Sequence, residues 1–201
     1  MSANKNIVIG VTGGVATGKS TVVQLLRKDF KYLTSADEKA HQIVKPGKPA
    51  YKKIVKAFGR EILAKDGTLD RKLLAKCIFA SPAKRKRLQN ITHPEIISEM
   101  KRDIARFKKR STIVLFEAPL LFEAKMEKLA DIIIVVASSV KNQLKRFAKK
   151  GHTKADTLRR IKSQIPLKTK IKKADMVIYN DGSLKELKNS VKNLAVILKE
   201  L

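Results

Sequence analysis

The fold is decided near the start of the chain, where the sequence reads Gly13-Gly14-Val15-Ala16-Thr17-Gly18-Lys19-Ser20. This is a complete G-x-x-x-x-G-K-S motif, preceded by the apolar residues 7–11 and followed by residues 21–27, whose apolar positions have helical spacing. A strand, a glycine-rich loop and a helix in this order form a phosphate-binding loop. The glycines let backbone N–H groups turn toward phosphate oxygens, and the helix N-terminus adds a positive field. The sequence therefore predicts a nucleoside triphosphate site.

The motif also predicts individual contacts within this phosphate loop. Lys19 has the reach to contact the β- and γ-phosphates, and the Ser20 hydroxyl is a ligand that Mg²⁺ accepts. ATP and Mg²⁺ are therefore the expected cofactors. The residues expected to bind the nucleotide here are Gly13, Gly14, Val15, Ala16, Thr17, Gly18, Lys19, Ser20 and Thr21.

Size and composition bound the class of protein. With 201 residues, 43% of them hydrophobic, the chain is long enough for one globular domain with insertions. It lacks an apolar run of about 18 residues, so we expect no membrane partner. Cys77 is the single cysteine and cannot form an internal disulfide, which fits a reducing compartment. We therefore expect a cytoplasmic protein, with a monomer favoured.

The net charge of +27 is unevenly distributed along the sequence. Residues 141–175 contain thirteen Lys or Arg against two Asp, whereas residues 111–137 contain two Lys against four acids. Such a basic segment is suited to binding nucleic acid or to closing over a polyphosphate substrate. For most individual lysines, however, the simpler interpretation is a solvent-exposed surface position. Aromatic residues make up only 5% of the chain, and no nucleic-acid-binding motif is recognisable, so no specific nucleic-acid partner is expected.

Five short apolar runs predict β-strands separated by helices. The runs are residues 7–12, 32–34, 113–117, 132–137 and 176–179. Continuous Val/Ile runs are typical of parallel strands covered on both faces, so we expect an α/β fold with a parallel sheet. Residues 38–109 show helices and no convincing strand, which predicts a helical insertion for a second substrate. Helix boundaries are expected at Asp70, at Ser138 or Ser139, and at Pro82, Pro94 and Pro166.

Carboxylates after two of these strands are candidates for chemistry. The chain lacks a guanine-reading N-K-x-D signature, which favours a small-molecule kinase that needs an acceptor-side base. Asp37 follows the second strand, where a carboxylate can act as that base. Alternatively, it caps a helix that begins at Glu38, and its position alone does not decide between the two roles. Glu117 ends the third strand and is a candidate Mg²⁺ ligand. Glu123 is expected to be exposed or to cap a helix.

Cations are expected near the transferring phosphoryl group. Arg146 and Arg160 flank residues 149–152, a turn suited to the tip of a closing lid, and the arginine fork binds phosphate oxygens in pairs. For either arginine, a solvated helix face is the competing interpretation. His93 precedes Pro94 and is expected to be a structural hydrogen-bonding residue.

Taken in order, these motifs resemble the dephospho-coenzyme A kinase family from Ile9 to about Gly182. The His-Pro and Pro-Leu-Leu-Phe-Glu pieces, at these separations, are not general features of phosphate-loop proteins. The matching pieces are residues 11–14 and 19–21, Ala36-Asp37, Leu69-Asp70-Arg71, Arg85, Leu88, Ile91, His93-Pro94, residues 119–123, Gln143, Arg146, Arg160-Ile161, Gln164, Lys170, residues 174–175 and 177–178, and Asn180.

The resemblance implies transfer of the ATP γ-phosphate to the ribose 3′-hydroxyl of dephospho-coenzyme A, the last step of coenzyme A synthesis. It implies a nucleoside-kinase-like core with a five-stranded parallel sheet (residues 1–37, 110–140 and 165–201), a helical coenzyme-binding domain (38–109) and a lid (141–164). A related kinase acting on a nucleoside monophosphate, or a basic nucleic-acid-binding protein switched by ATP, are the alternatives.

The same resemblance implies roles for individual residues. Asp37 is the implied base, and Lys19, Arg146 and Arg160 are the implied catalytic cations. Asn180 falls in the loop near the adenine, and Ser20 with Glu117 forms the expected metal site. The implied substrate-binding residues are Asp37, Arg71, Arg85, His93, Pro119 and Leu120.

Three positions depart from the usual family pattern. Ser35 stands where the family usually has Asp, Glu117 where Asp is common, and Lys150 where Arg is frequent. If the missing acid helps to hold magnesium or the acceptor, Ser35 does so only weakly. The base and the phosphate loop are retained, so the expected activity stands.

Overall fold

The computed structural model describes residues 6–79 and 81–201 and divides the chain into two compact units. The first unit is Met1–Thr34 with Ile104–Leu201, and the second is Ser35–Asp103. Within the described residues, short 3₁₀ helices cover Arg60–Ile62 and Met126–Leu129. The α-helices in chain order are α1 (Lys19–Leu26), α2 (Ala36–Ile43), α3 (Pro49–Phe58), α4 (Arg71–Phe79), α5 (Pro82–Lys108), α6 (Val140–Ala148), α7 (Lys154–Lys162), α8 (Leu167–Lys172) and α9 (Leu184–Lys199).

The first unit is built on the predicted five-stranded parallel sheet. Its strands are β1 (Ile7–Gly13), β2 (Leu33–Ser35), β3 (Ile113–Glu117), β4 (Ile132–Ala137) and β5 (Met176–Tyr179), in the spatial order β2-β3-β1-β4-β5. In the register, Val11 lies opposite Glu117 on β3 and opposite Ile134 on β4. The ends of β1 and β3 therefore lie at one edge of the sheet, beside the phosphate loop.

The core explains why these strands are almost entirely apolar. Ile9, Val11, Leu115, Ile134 and Val136 are all fully buried and pack in one cluster with apolar side chains of α1 and α9. Helix α9 contributes Leu187, Val191, Leu194 and Leu198 to this core, and the Ser183 hydroxyl with the Glu186 carboxylate forms a capping box at its start.

The second unit is helical and has its own small core. Ile54, Phe58 and Ile62 are buried and contact partly buried apolar residues of α4 and α5. Asp70 begins α4 as predicted, because its Oδ1 accepts the backbone N–H groups of Lys72 at 2.8 Å and Leu73 at 3.0 Å. An isolated antiparallel bridge joins Leu63 and Leu69, and no strand longer than this is found between residues 38 and 79 or 81 and 109.

Pro94 does not mark a helix boundary, so that prediction is wrong. It lies inside α5, which runs without a break from Pro82 to Lys108. A proline in a helix interior costs about 3 kcal/mol, because it removes one backbone donor and crowds the preceding turn. The apolar stripe continues across it, with Ile91 partly buried on one side and Ile96 and Met100 buried on the other. This burial outweighs the local penalty.

None of the helices in the described residues combines the length and the hydrophobicity needed to cross a lipid bilayer.

Candidate active site

The phosphate loop joins the end of β1 to the start of α1 and has no room for side chains at two glycines. A Cβ atom on Gly13 would lie 2.6 Å from the Val136 carbonyl oxygen and 2.8 Å from Thr17 Oγ1. Gly18 has φ +95°, and Ala16 at the loop tip also adopts a positive φ, of 54°. A positive φ is unfavourable for residues with a Cβ, so the backbone conformation of this loop favours glycine at position 18.

A buried asparagine fixes the carbonyl at the end of this loop. Asn180, 6% exposed, follows β5 and donates from Nδ2 to the Thr17 carbonyl oxygen at 2.8 Å. A Cβ on Gly18 would collide with that same nitrogen. The family resemblance implied a position near the adenine for Asn180, and the structure adds that its side chain holds the phosphate loop.

We expect Gly18→Ala to weaken ATP binding by at least about tenfold, because the new methyl group forces Asn180 off the Thr17 carbonyl and misplaces the loop by a fraction of an ångström. Gly47→Ala is the matched control, since Gly47 has φ +85° but nothing within 4 Å of the point where a Cβ would lie. Both variants carry the same backbone penalty, so equal ATP affinities in isothermal titration would contradict the steric argument.

Arg146 on α6 contacts the same loop. Its guanidinium donates to the Thr17 carbonyl at 3.2 Å, to Ser138 Oγ at 3.1 Å and to the Asn180 carbonyl at 2.7 Å. The side chain is half-buried, and these three oxygens come from three different segments. The guanidinium therefore joins the phosphate loop to the loops after β4 and β5, while its expected role toward phosphate stays a prediction.

The loop after β5 is also held by a charged carboxylate. Asp181 Oδ1 accepts the Ser139 backbone N–H at 2.7 Å and the Asn142 amide at 2.9 Å, and lies 2.9 Å from Ser138 Oγ. These hydrogen bonds, led by that of the Ser139 N–H, lower the pKa of Asp181 to about 2, so it is ionised at neutral pH. Of the two serines expected at the start of α6, Ser139 is the N-cap. The Ser138 hydroxyl instead donates to the Asn180 carbonyl oxygen.

Lys19 and Glu117 meet at the edge of the sheet. Lys19 Nζ lies 3.3 Å from Glu117 Oε1, and both side chains are largely buried. Ser20, the next residue, is exposed. A carboxylate at the end of β3 and an accessible hydroxyl at the start of α1 are the oxygen donors that Mg²⁺ prefers, so these residues fit the expected metal. Within the described residues there is no group of three or more His, Cys, Asp or Glu arranged as a metal site.

Arg160 lies in a small cluster formed by the two helices of the proposed lid and the turn between them. Its Nε donates to Asp156 Oδ2 at 3.3 Å, and its guanidinium lies 5.5 Å from the centre of the Phe147 ring. The His152 ring stacks on Phe147 with a centroid distance of 4.0 Å, and its Nδ1 is 3.1 Å from Asp156 Oδ2. Arg160 and Arg146 thus lie on neighbouring helices with different partners.

Asp37 lies in the second unit, in the first turn of α2. The helix begins at Ala36, and Ser35 is its N-cap, accepting the Glu38 backbone N–H at 3.4 Å. The interpretation of Asp37 as a cap for a helix beginning at Glu38 is therefore wrong, and Ser35 fills the capping role. The Asp37 side chain is exposed, and a carboxylate in the first turn is stabilised by the helix dipole.

The other expected substrate residues of this unit lie on α4 and α5. Arg71 is the first residue of α4, Arg85 is in the first turns of α5, and both are exposed. His93 is half-buried further along α5, where burial, assisted by the charge of Lys86, lowers its pKa below the ordinary value. The imidazole is therefore neutral at neutral pH and suits hydrogen bonding rather than phosphate neutralisation.

Pro119 and Leu120 follow β3 in the first unit and are both partly buried. Glu123, in the same segment, is only 17% exposed and pairs with Lys170, so its expected exposure is wrong. It accepts the Ile165 backbone N–H at 2.9 Å and is not a helix N-cap. The family resemblance included Lys170 among its matching positions but gave it no role. Lys168, Lys170 and Lys172 alternate in α8, and no local pattern marks one of them as buried.

Comparison with known proteins identifies the family to which this chain belongs. The family model for dephospho-CoA kinase matches residues 7–186. A dephospho-CoA kinase from Bacillus cereus is 44% identical over 195 residues, which span 96% of each chain. The chain belongs to the dephospho-CoA kinase family. Members of this family are transferases that catalyse the last step of coenzyme A biosynthesis.

Solved structures of similar proteins agree with this fold. A structure from Thermus thermophilus, TT1252, superposes with a TM-score of 0.80 at 30% identity and covers 96% of this chain and 98% of that one. Dephospho-CoA kinase from Campylobacter jejuni gives 0.75 at 29% identity and covers 98% of both chains. The expected phosphate-loop kinase core with a five-stranded parallel sheet is confirmed.

Proposed function

We propose that this chain transfers the γ-phosphoryl group of ATP to the ribose 3′-hydroxyl of dephospho-coenzyme A. The main observation in support is a complete phosphate loop whose Lys19 contacts Glu117 at the end of β3. The chain's membership of the dephospho-CoA kinase family supports the same reaction. In phosphoryl transfer the protein supplies mainly positioning and charge, and these residues offer both. We propose that it works in the cytoplasm as a monomer.

The proposed step needs a base for the acceptor hydroxyl and cations for the phosphate charge. The 3′-oxygen forms the new bond to the γ-phosphorus, the bond to the β-phosphate oxygen breaks, and ADP leaves. Asp37 takes the hydroxyl proton, as a carboxylate can when it is within hydrogen-bond reach of the acceptor. Lys19, with Arg146 and Arg160 on the lid, neutralises the phosphate charge, and the loop N–H groups hold the phosphates.

We propose that Ser20 and Glu117 hold Mg²⁺ with the nucleotide. When bound, this ion neutralises charge on the β- and γ-phosphate oxygens. The remaining contacts follow the family resemblance. Arg71, Arg85 and His93 bind the coenzyme on residues 38–109, Pro119 and Leu120 contact it after β3, Asn180 lies near the adenine, and residues 141–164 form the lid.

An acceptor panel tests this function. We expect ADP release to depend on dephospho-coenzyme A, with kcat/KM at least about 100-fold above that for AMP or CMP. Mass spectrometry should show one added phosphate on the 3′-oxygen, and chelation of Mg²⁺ should stop turnover. Equal turnover with a nucleoside monophosphate would instead identify a related kinase. Tight nucleic-acid binding that persists at physiological salt would support the switch alternative.

A further inference from the structure

A fully buried lysine joins segments of the first unit that are far apart in sequence. Lys170 on α8 has no exposed surface. Its Nζ lies 2.9 Å from Glu123 Oε1 and 3.2 Å from the Pro119 carbonyl oxygen. Removing an ammonium group from water is costly unless a counter-charge and acceptors compensate it. These two contacts therefore determine where α8 and the segment after β3 lie against each other.

Each partner of Lys170 has a second contact that reaches a different part of the site. Glu123 Oε1 also accepts the Ile165 backbone N–H at 2.9 Å, and Ile165 directly follows the proposed lid. The Pro119 carbonyl also accepts the hydroxyl of buried Thr12 at 3.4 Å, and Thr12 directly precedes the phosphate loop. The ion pair thus connects the start of the phosphate loop, the segment after β3 and the end of the lid.

We propose that Lys170 and Glu123 are positioning residues for phosphoryl transfer, an inference that rests on the proposed function. They hold the segment carrying Pro119 and Leu120 against β1, and they fix the point where the lid returns to the core. The acceptor and the lid arginines are then presented to the phosphate loop in one geometry. Since such reactions depend largely on orientation, loosening this junction reduces the rate without removing any reacting group.

The unequal environment of the Glu123 carboxylate supports this role. Among the described residues, Oε1 has two donors, whereas Oε2 is buried without a hydrogen-bond partner. A buried unpaired oxygen is destabilising, and an apolar pair of similar volume is often at least as stable as a buried ion pair. Stability alone therefore does not account for a charged pair here, whereas the need to hold two backbone groups, Pro119 O and Ile165 N–H, does.

The test uses the double variant Lys170→Met with Glu123→Gln, which removes both charges together and leaves neither one buried alone. We expect a folded protein by circular dichroism, with unchanged ATP affinity, a raised KM for dephospho-coenzyme A and kcat lowered about 10- to 100-fold. The control is Lys199→Met with Asp29→Asn, which removes an exposed ion pair of the same unit and should retain the parent kinetics.

If the folded double variant has the same kcat and KM as the parent enzyme, the positioning role is overturned and the ion pair is purely structural. If that variant fails to fold, Thr12→Val decides, because it removes the second donor to Pro119 O without changing charge or shape. Lowered kcat at unchanged ATP affinity supports the proposal, and parent kcat contradicts it. A parent enzyme without turnover of dephospho-coenzyme A would overturn the proposed function instead, before any variant is compared.

Discussion

In the Asp37→Asn variant we expect turnover of dephospho-coenzyme A to fall by about 10²- to 10⁴-fold while ATP binding is retained. Asparagine keeps the shape of the side chain but cannot take the proton of the attacking hydroxyl. Asp37 is exposed in the first turn of α2 and is not the helix cap, so its loss leaves the Ser35 cap in place. Steady-state kinetics with both substrates, together with ATP titration, measure the two effects separately.

The matched control for this variant is Glu38→Gln. Glu38 lies in the same helical turn and is also exposed, so its neutralisation removes a comparable helix-dipole interaction of about 0.3–1 kcal/mol. Both variants should therefore lose similar thermal stability, and only Asp37→Asn should lose turnover. Retained turnover in Asp37→Asn would remove this residue from the role of base.

The Lys19→Met variant should lower kcat/KM for ATP by about 10³-fold and weaken ATP binding. The change keeps the length of the side chain but removes the cation expected at the β- and γ-phosphates. It also removes the charge 3.3 Å from Glu117, so the remaining carboxylate repels the nucleotide. Stopped-flow or calorimetric titration of ATP measures the binding loss, and coupled ADP assays measure turnover.

Lys28→Met is the control for this second variant. Lys28 is exposed just beyond α1, so its replacement removes one positive charge from the same part of the chain without changing the phosphate loop. Its ATP affinity should match that of the parent at physiological salt, because distant surface charges are screened. Parent-like ATP binding in Lys19→Met would show that the loop N–H groups alone hold the phosphates.

Features encoded by neighbouring residues could be predicted from sequence. The phosphate loop, the strand positions and the Asp70 cap each depend on a pattern within a few residues, and each is found in the structure. The cap of α2 was harder to predict: Asp37 was the capping candidate and Ser35 fills that role in the structure. Both residue types cap helices well, so residue type alone does not settle the choice. It was decided by the extended backbone at Ser35, with φ −124° and ψ 127°, which short sequence patterns do not specify.

Features that depend on distant partners could not be predicted. Glu123 meets Ile165 42 residues away, and Arg146 meets Thr17 129 residues away. In sequence, Lys170 is one cation among many in a basic segment, and only the folded chain gives it a buried partner. Pro94 shows the converse, because a strong local signal was overridden by the apolar face of α5. The environments of these residues therefore depend on burial and on partners distant in sequence, which local sequence patterns do not contain.

The hydrogen bond from Asn180 to the Thr17 carbonyl spans 163 residues of sequence. During synthesis the phosphate loop leaves the ribosome well before the side chain that holds its Thr17 carbonyl, because that side chain is made 163 residues later. Contacts with such wide sequence separation form late, because the intervening chain must be ordered before they close. High ATP affinity should accordingly be among the last properties that a nascent molecule acquires, and shortened chains ending before residue 180 should bind nucleotide weakly.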